Sequence, residues 1–309
     1  MGVLLKICDF VFVLRPLILI PAWSFYLVGA AKARGQTFAA YAELPAPIVV
    51  LCLTSILVSA YLLNQIFDKE SDEKNDKLFY LSRGIFRTRT LLAMAVVFFV
   101  IASLSFQEVA ERYRLPLIGA LALSLLYSLP PVRLCARPFL DMAANAFGYG
   151  GIAFIIGFLV YDYSSADALV GAIPYILLVA STFIHTTILD IVGDRAAGKI
   201  STAVFVGERP ANAMALILHV AGTVAALIIT DWIAVIITAA TLPATIYALR
   251  AHTKRASSLQ IQITTLAVTL AAIIFWPAYA LVVAPLLIVS RFYYAKRFGI
   301  TYPGPQKNV

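Results

Sequence analysis

The feature that most constrains this chain is a recurrence of apolar runs along its 309 residues, each about the 17–25 residues a helix needs to cross a bilayer. In hydrocarbon every backbone N–H and C=O must be satisfied internally, so such runs fold as helices packed side by side. Charged residues make up only 13% of the chain and hydrophobic ones 61%, against about 25% charged in soluble domains. No stretch is polar enough to stand apart as a soluble unit. The expectation is an all-α, polytopic transmembrane helical bundle of about nine helices, forming a single domain over residues 1–309.

Nine spans fit the pattern, at about 8–31, 46–67, 90–107, 114–130, 139–161, 168–189, 211–229, 231–249 and 259–291. The last is long for one crossing of about 20 residues, and Pro277 either kinks it or divides it into two, so nine and ten spans both remain open. Arg15-Pro16 interrupts the first run, which lacks a signal-peptide cleavage pattern and is read as a retained span. The connections after the second, fourth, sixth and eighth spans hold fourteen Lys and Arg, and the opposite connections four. The positive-inside rule puts the richer set, with the N-terminus, in the cytoplasm. The basic C-terminal tail obeys the same rule only with ten spans. The net charge of +8 is thus a sign of topology and not of nucleic-acid binding. Cys8, Cys52 and Cys135 show no pairing or metal spacing and read as packing residues. His185, His219 and His252 form no metal pattern either.

Chemistry concentrates in two segments. Asn64, Asp68 and Asp72 end the second span at i, i+4 and i+8, which stacks them on one helix face. Asp190 and Asp194, again i and i+4, end the sixth span on the same inferred side. One acidic pair at a helix end is usually a solvated boundary. Two such clusters on one side of a membrane read as two halves of one site, because polar groups there need partners or an aqueous cavity. Carboxylate and amide oxygens suit Mg2+, which is typically held by one or two carboxylates together with substrate phosphates and water. A diphosphate bridged by metal between the clusters accounts for both, with Lys69, Lys77, Arg83, Arg195 and Lys199 available to neutralise the remaining phosphate charge.

These residues resemble the UbiA superfamily of intramembrane prenyltransferases. Asn64, Asp68 and Asp72, followed by Asn75, match its first motif, N-x-x-x-D-x-x-x-D. Asp190, Asp194, Gly198 and Ser201 match its second, D-x-x-x-D-x-x-x-G-x-x-S/T. Between them, Tyr127-Ser-Leu-Pro-Pro-Val-Arg133-Leu and Arg137-Pro-Phe-Leu-Asp141, with Asn145 beyond, are similar to stretches of its tocopherol- and chlorophyll-related branches, and Arg15-Pro16 to an early Arg-Pro. The likeness covers residues 10–210 or so. The sequence departs from the family at Phe79-Tyr80, where an Arg-Pro is usual, and at Thr186, where many members carry Lys.

The resemblance implies an enzyme that moves a prenyl group from a polyprenyl diphosphate to a lipophilic acceptor and releases diphosphate. The acceptor is an aromatic quinone precursor by first preference, with a tetrapyrrole or a glycerol-lipid as alternatives. It implies that Asp68, Asp72, Asp190, Asp194 and Asn64 hold Mg2+ and diphosphate. Lys77, Arg83, Arg133 and Lys199 are phosphate candidates, Arg15 a counter-ion, and Asp141 and Asn145 acceptor-orienting groups. Tyr61, Tyr127 and Tyr149 are candidates to face the carbocation. The site would open on the cytoplasmic side of a multi-pass protein embedded in membrane lipid. The rival from another class is a transporter that uses intramembrane acids as an ion path.

Overall fold

The computed structural model describes residues 2–35, 44–75, 79–162, 164–300 and 302. All secondary structure among them is helical. α1 (Gly2–Phe12), α2 (Pro16–Ala33) and α3 (Pro47–Phe67) are followed by short α4 (Lys69–Lys74) and α5 (Phe79–Ser82), then by long α6 (Thr88–Glu108) and α7 (Glu111–Ser128). A discontinuous span follows: α8 (Leu140–Asn145) runs into a π-helical segment, Ala146–Ala153, and then α9 (Phe154–Phe158). The 32-residue α10 (Ser165–Ala196), short α11 (Thr202–Val206), α12 (Glu208–Ile228), α13 (Trp232–Ala251), α14 (Lys254–Phe275) and α15 (Ala280–Phe298) complete the chain.

Among the described residues nine helices are long and apolar enough to cross a membrane. α7 has the same 18-residue length as α2, but carries Glu111, Arg112 and Arg114 at its start. It packs against α3 and the π segment. The expected spans match these helices closely, with two differences. The first begins at Pro16 and not near residue 8. Pro16 disfavours a right-handed helical Arg15, and Arg15 takes the left-handed region, φ 57°, so α1 stands apart from α2. The last region is two helices, parted by a 3₁₀ turn at Pro277–Tyr279.

That division settles which ends of the bundle meet. Arg297, at the end of α15, binds Asp9 of α1 through Nε at 2.9 Å and Nη2 at 3.1 Å, and Phe12 stacks on Tyr293 at 4.4 Å. The end of α15 therefore returns to the end of the bundle where α1 lies.

Small residues let the helices on either side of the π segment approach backbone to backbone. A Cβ on Gly157 of α9 would fall 1.8 Å from Tyr26 O of α2, and one on Gly150 would fall 2.4 Å from Tyr175 O of α10. Close packing of this kind takes the place of hydrophobic drive between helices in lipid. The largest buried cluster, with Tyr26, Phe154, Ile156, Tyr175 and Leu178 at its centre, sits at these crossings. α2 and α3, by contrast, scarcely touch through their backbones, and side chains bridge the gap between them.

Candidate active site

The first acid cluster forms where α3 passes into α4. Asp68 leaves helical geometry for one residue (φ −98°, ψ 10°), but Asp72 N still donates to Asp68 O at 2.9 Å, so the stacking of Asn64, Asp68 and Asp72 survives. Asn64 Nδ2 donates to Asp68 Oδ2 at 3.0 Å and to Ser128 Oγ at 3.3 Å. Asp68 is 4% exposed. A carboxylate so buried needs charge partners and hydrogen bonds, and it has both. Arg133 Nη2 donates to Asp68 Oδ1 at 2.8 Å, and Lys199 Nζ to Asp68 Oδ2 at 3.3 Å.

The second cluster closes α10. Gly198 adopts φ 70°, a left-handed residue that ends a helix at little cost only when it lacks a Cβ. Lys199 N then closes onto Asp194 O at 2.8 Å. This reversal sends the Lys199 side chain back over the helix end, where Nζ lies 3.7 Å from Asp194 Oδ1 as well as 3.3 Å from Asp68 Oδ2. One ammonium thus joins the two motifs. A second bridge is Asn75, whose Nδ2 donates to Asp194 Oδ1 at 3.3 Å and whose Oδ1 accepts from Gly193 N at 3.0 Å. A Cβ at Gly193 would fall 2.3 Å from that oxygen, so glycine is what lets Asn75 dock. Asp190 lies one turn earlier on α10, half-buried.

Two arginines reach the first cluster from strained backbone. Arg15 (φ 57°) and Arg133 (φ 43°) both occupy the left-handed region, unusual for residues with a Cβ and typical of sites held by their surroundings. Arg15 Nη1 donates to Asn64 Oδ1 at 3.5 Å, and its Nη2 lies 3.8 Å from Asp72 Oδ2. Burial opposes ionisation of Asp68, but Lys199 and Arg133 outweigh it and hold the carboxyl below its ordinary range. Burial likewise works against charge on Lys199, yet Asp68 and Asp194 raise its ammonium well above the usual value. Burial, with Asp68 beside it, pushes the Cys135 thiol up to about 12, so it is inert. The sequence profile of the UbiA prenyltransferase family matches residues 22–262, a stretch that contains both clusters.

The chain belongs to the UbiA prenyltransferase family. As a member with nine membrane-length apolar helices among the described residues, it is an integral multi-pass membrane enzyme, a prenyltransferase. Its fold is similar to that of a UbiA homologue from Archaeoglobus fulgidus, with TM-score 0.65 and 22% identity over 86% of this chain and 97% of the other. The same homologue bound to GPP and Mg2+ superposes with TM-score 0.57 at 20% identity, over 86% of this chain and 99% of the other. A curated relative, the lycopene elongase/hydratase of Haloarcula japonica, is 32% identical over 154 residues, 49% of this chain and 51% of that protein. The match thus spans about half of the relative.

The UbiA geometry gathers most of the residues expected from sequence. Asn64, Asp68, Asp72, Asp194, Lys199, Arg133 and Arg15 form one connected network, and Tyr127 lies within electrostatic reach of Lys199 and Asp68. Lys77 lies outside the described residues. Arg83 sets its guanidinium over the ring of Phe298, 5.3 Å away. Asp141, 1% exposed, accepts from Thr202 N at 2.7 Å, from the Thr202 hydroxyl and from Met142 N at 2.8 Å. It ties α8 to α11. Asn145 Nδ2 donates to Asp141 O at 2.9 Å. At the two departures from the family pattern, Tyr80 is buried against Phe86 and Phe298, and Thr186 donates to Phe183 O at 2.7 Å.

Sequence reasoning gave no role to Asn75, Ser128 or Gly193. The signal for Asn75 was its place one turn beyond Asp72; the partner across 119 residues has no local signature. Among the described residues no three His, Cys, Asp or Glu converge tightly enough to cage a metal alone. The donors present, carboxylates and an amide oxygen at one mouth, suit a hard divalent cation completed by phosphate and water.

Proposed function

We propose that this prenyltransferase binds an allylic diphosphate as its Mg2+ complex between the two acid clusters and transfers the prenyl group to a lipophilic acceptor with no polar head. The observation that supports the reading is the Lys199 ammonium lying between Asp68 and Asp194, 3.3 Å from one carboxylate and 3.7 Å from the other, a closeness that favours one ligand shared by both clusters.

Asp68, Asp72, Asp190, Asp194 and the Asn64 oxygen would hold the metal, which when bound offsets charge on the leaving diphosphate. Lys199 and Arg133, which neutralise Asp68 in the structure, would offset the remaining charge of a bound diphosphate. Donors fixed in advance where charge develops give the largest help to an ionising step. Behind the acids the wall is aromatic. Tyr61 of α3 and Tyr149 of the π segment meet there, hydroxyl to hydroxyl at 2.6 Å. An apolar interior of this kind excludes water from a developing cation.

The acceptor class is supported by the engagement of the two polar groups expected to orient it. An aromatic acid, a tetrapyrrole carboxylate and a glycerol phosphate each need a polar partner. Asp141 and Asn145, the groups expected to supply one, are held by Thr202, Met142 and each other. An unsaturated isoprenoid hydrocarbon needs none, and the name of the Haloarcula relative supports that class. The excess of Lys and Arg on the connections at the acid end supports a cytoplasmic site.

The test is diphosphate release from membranes containing the protein, given labelled donor, Mg2+ and a lipid extract, with the product identified by mass. Chelation should abolish release and Mg2+ restore it, and Asp68→Ala should eliminate turnover. Release that persists in Asp68→Ala would overturn the site; a prenylated aromatic product would overturn the acceptor. Ion flux without diphosphate release would favour a transporter.

A further inference from the structure

Resting on that reading, we propose that Tyr61 and Tyr149 form the floor of the donor chamber and restrict the enzyme to donors of one or two isoprene units. Tyr61 lies seven residues before Asp68 on α3, so it shares that residue's face to within about 20° and sits about 10 Å deeper in the bundle. Its hydroxyl is 2.6 Å from that of Tyr149 and donates to Ile18 O of α2 at 3.4 Å. Side chains from α3 and the π segment therefore meet at the backbone of α2, across the gap between the backbones of α2 and α3.

The π turn is what puts Tyr149 there. A π segment shifts the side-chain register and is frequent at functional positions, and Gly150, beside Tyr149, seats this stretch against Tyr175 O.

A second crossing lies below the first. Thr54, seven residues deeper again on the same face of α3, accepts from Trp23 Nε1 of α2 at 2.9 Å. A chain entering from the acid layer between α2 and α3 thus meets the tyrosine pair and then an indole. An extended isoprene unit is about 5 Å long, close to the 5.4 Å of one helical turn, so two units fill the depth between Asp68 and the tyrosines. Longer donors collide with the floor.

The test needs no acceptor. Non-ionising thiolo-diphosphate analogues of one, two, three and four isoprene units would be titrated with Mg2+ into the purified protein, and the dissociation constants compared. The wild type should bind the one- and two-unit analogues, and the four-unit analogue at least about 10-fold more weakly, within the discrimination apolar pockets achieve. Tyr149→Ala should bring the four-unit analogue within about threefold of the two-unit one, and adding Trp23→Ala should remove the remaining gap. Retained binding of the one-unit analogue shows that Tyr149→Ala is folded. If it is not, Tyr149→Leu takes its place under the same criterion.

Equal wild-type affinity for all four lengths overturns the floor, as does a length preference unmoved by shortening Tyr149. Failure of every analogue to bind with Mg2+ strikes instead at the diphosphate site on which the proposal rests.

Discussion

At the scale of single residues, Lys199 decides whether two carboxylates can be buried together. It is mostly buried between Asp68 and Asp194. Removing one member of a buried ion pair costs about 3–5 kcal/mol, because the remaining charge is left uncompensated. Lys199→Met should therefore lower the melting temperature in detergent and, through loss of charge stabilisation at the diphosphate, cut turnover by about 10²–10³-fold. Unchanged melting would show that the carboxylates find other partners. The pH dependence has a defined sign. The Asp68 carboxyl is depressed in the folded protein, so its stabilisation is complete above the unfolded value near 3.9 and fades only as pH falls through the lower folded value. Lys199 is raised, so its share is complete below about 10.4 and is lost as pH rises from there through the higher folded value. Melting should be flat from about pH 5 to 9, and Asp68→Asn should abolish the difference between this plateau and pH 3. The juxtaposition of Asn64, Asp68 and Asp72 on one face, and of Asp194 with Lys199 at a helix end, was legible in the sequence, because helical spacing and a Gly-terminated helix end are local properties. The engagement of Asp141 with Thr202, across 61 residues, was not, since only the folded chain brings α11 to α8.

At the scale of elements, prolines show why span boundaries were partly legible. Pro21, Pro116, Pro174, Pro243 and Pro285 lie inside long helices without ending them, while Pro16 breaks a span that was expected to run through it and Pro277 marks the break the sequence left open. Neighbouring helices satisfy the carbonyls that a proline frees, so the outcome belongs to packing and not to the residue. Two glycines separate packing from function by experiment. At Gly157→Ala the added methyl meets the Tyr26 carbonyl of α2, backbone against backbone, and overpacking of this sort costs about 1–3 kcal/mol or more. At Gly193→Ala the methyl meets only the Asn75 side chain, which can move away but then no longer joins α4 to α10. Gly157→Ala should melt several degrees early or fail to accumulate. Gly193→Ala should melt close to wild type while losing about 10²-fold in turnover, as displaced catalytic elements do. If both variants behaved alike, the Asn75 contact would be packing only.

At the scale of the whole molecule, the contacts between the chain's two ends fix the parity of its membrane crossings. Arg15 touches the acid network, α1 precedes it, and Arg297 at the end of α15 grips Asp9 of α1. The N-terminal helix, both acid clusters and the last residues of α15 therefore share one end of the bundle. A chain that starts and finishes at one end crosses an even number of times, so α7 must be counted with the nine strongly apolar helices despite its charged start. Ten crossings also put Arg291, Lys296 and Arg297 on the same side as the other basic connections, which removes the conflict that nine crossings leave with the positive-inside rule. Single cysteines placed at Lys6, Glu70 and Lys296, in a chain whose Cys8, Cys52 and Cys135 are replaced by Ala, should all react with an impermeant maleimide from the same face of sealed vesicles. A cysteine at Arg114, at the start of α7, should react only from the opposite face. If Lys296 labelled from the Arg114 side, the Asp9–Arg297 bridge could not exist in the membrane. α1 would then lose the contact that holds it beside Arg15 and the acid network.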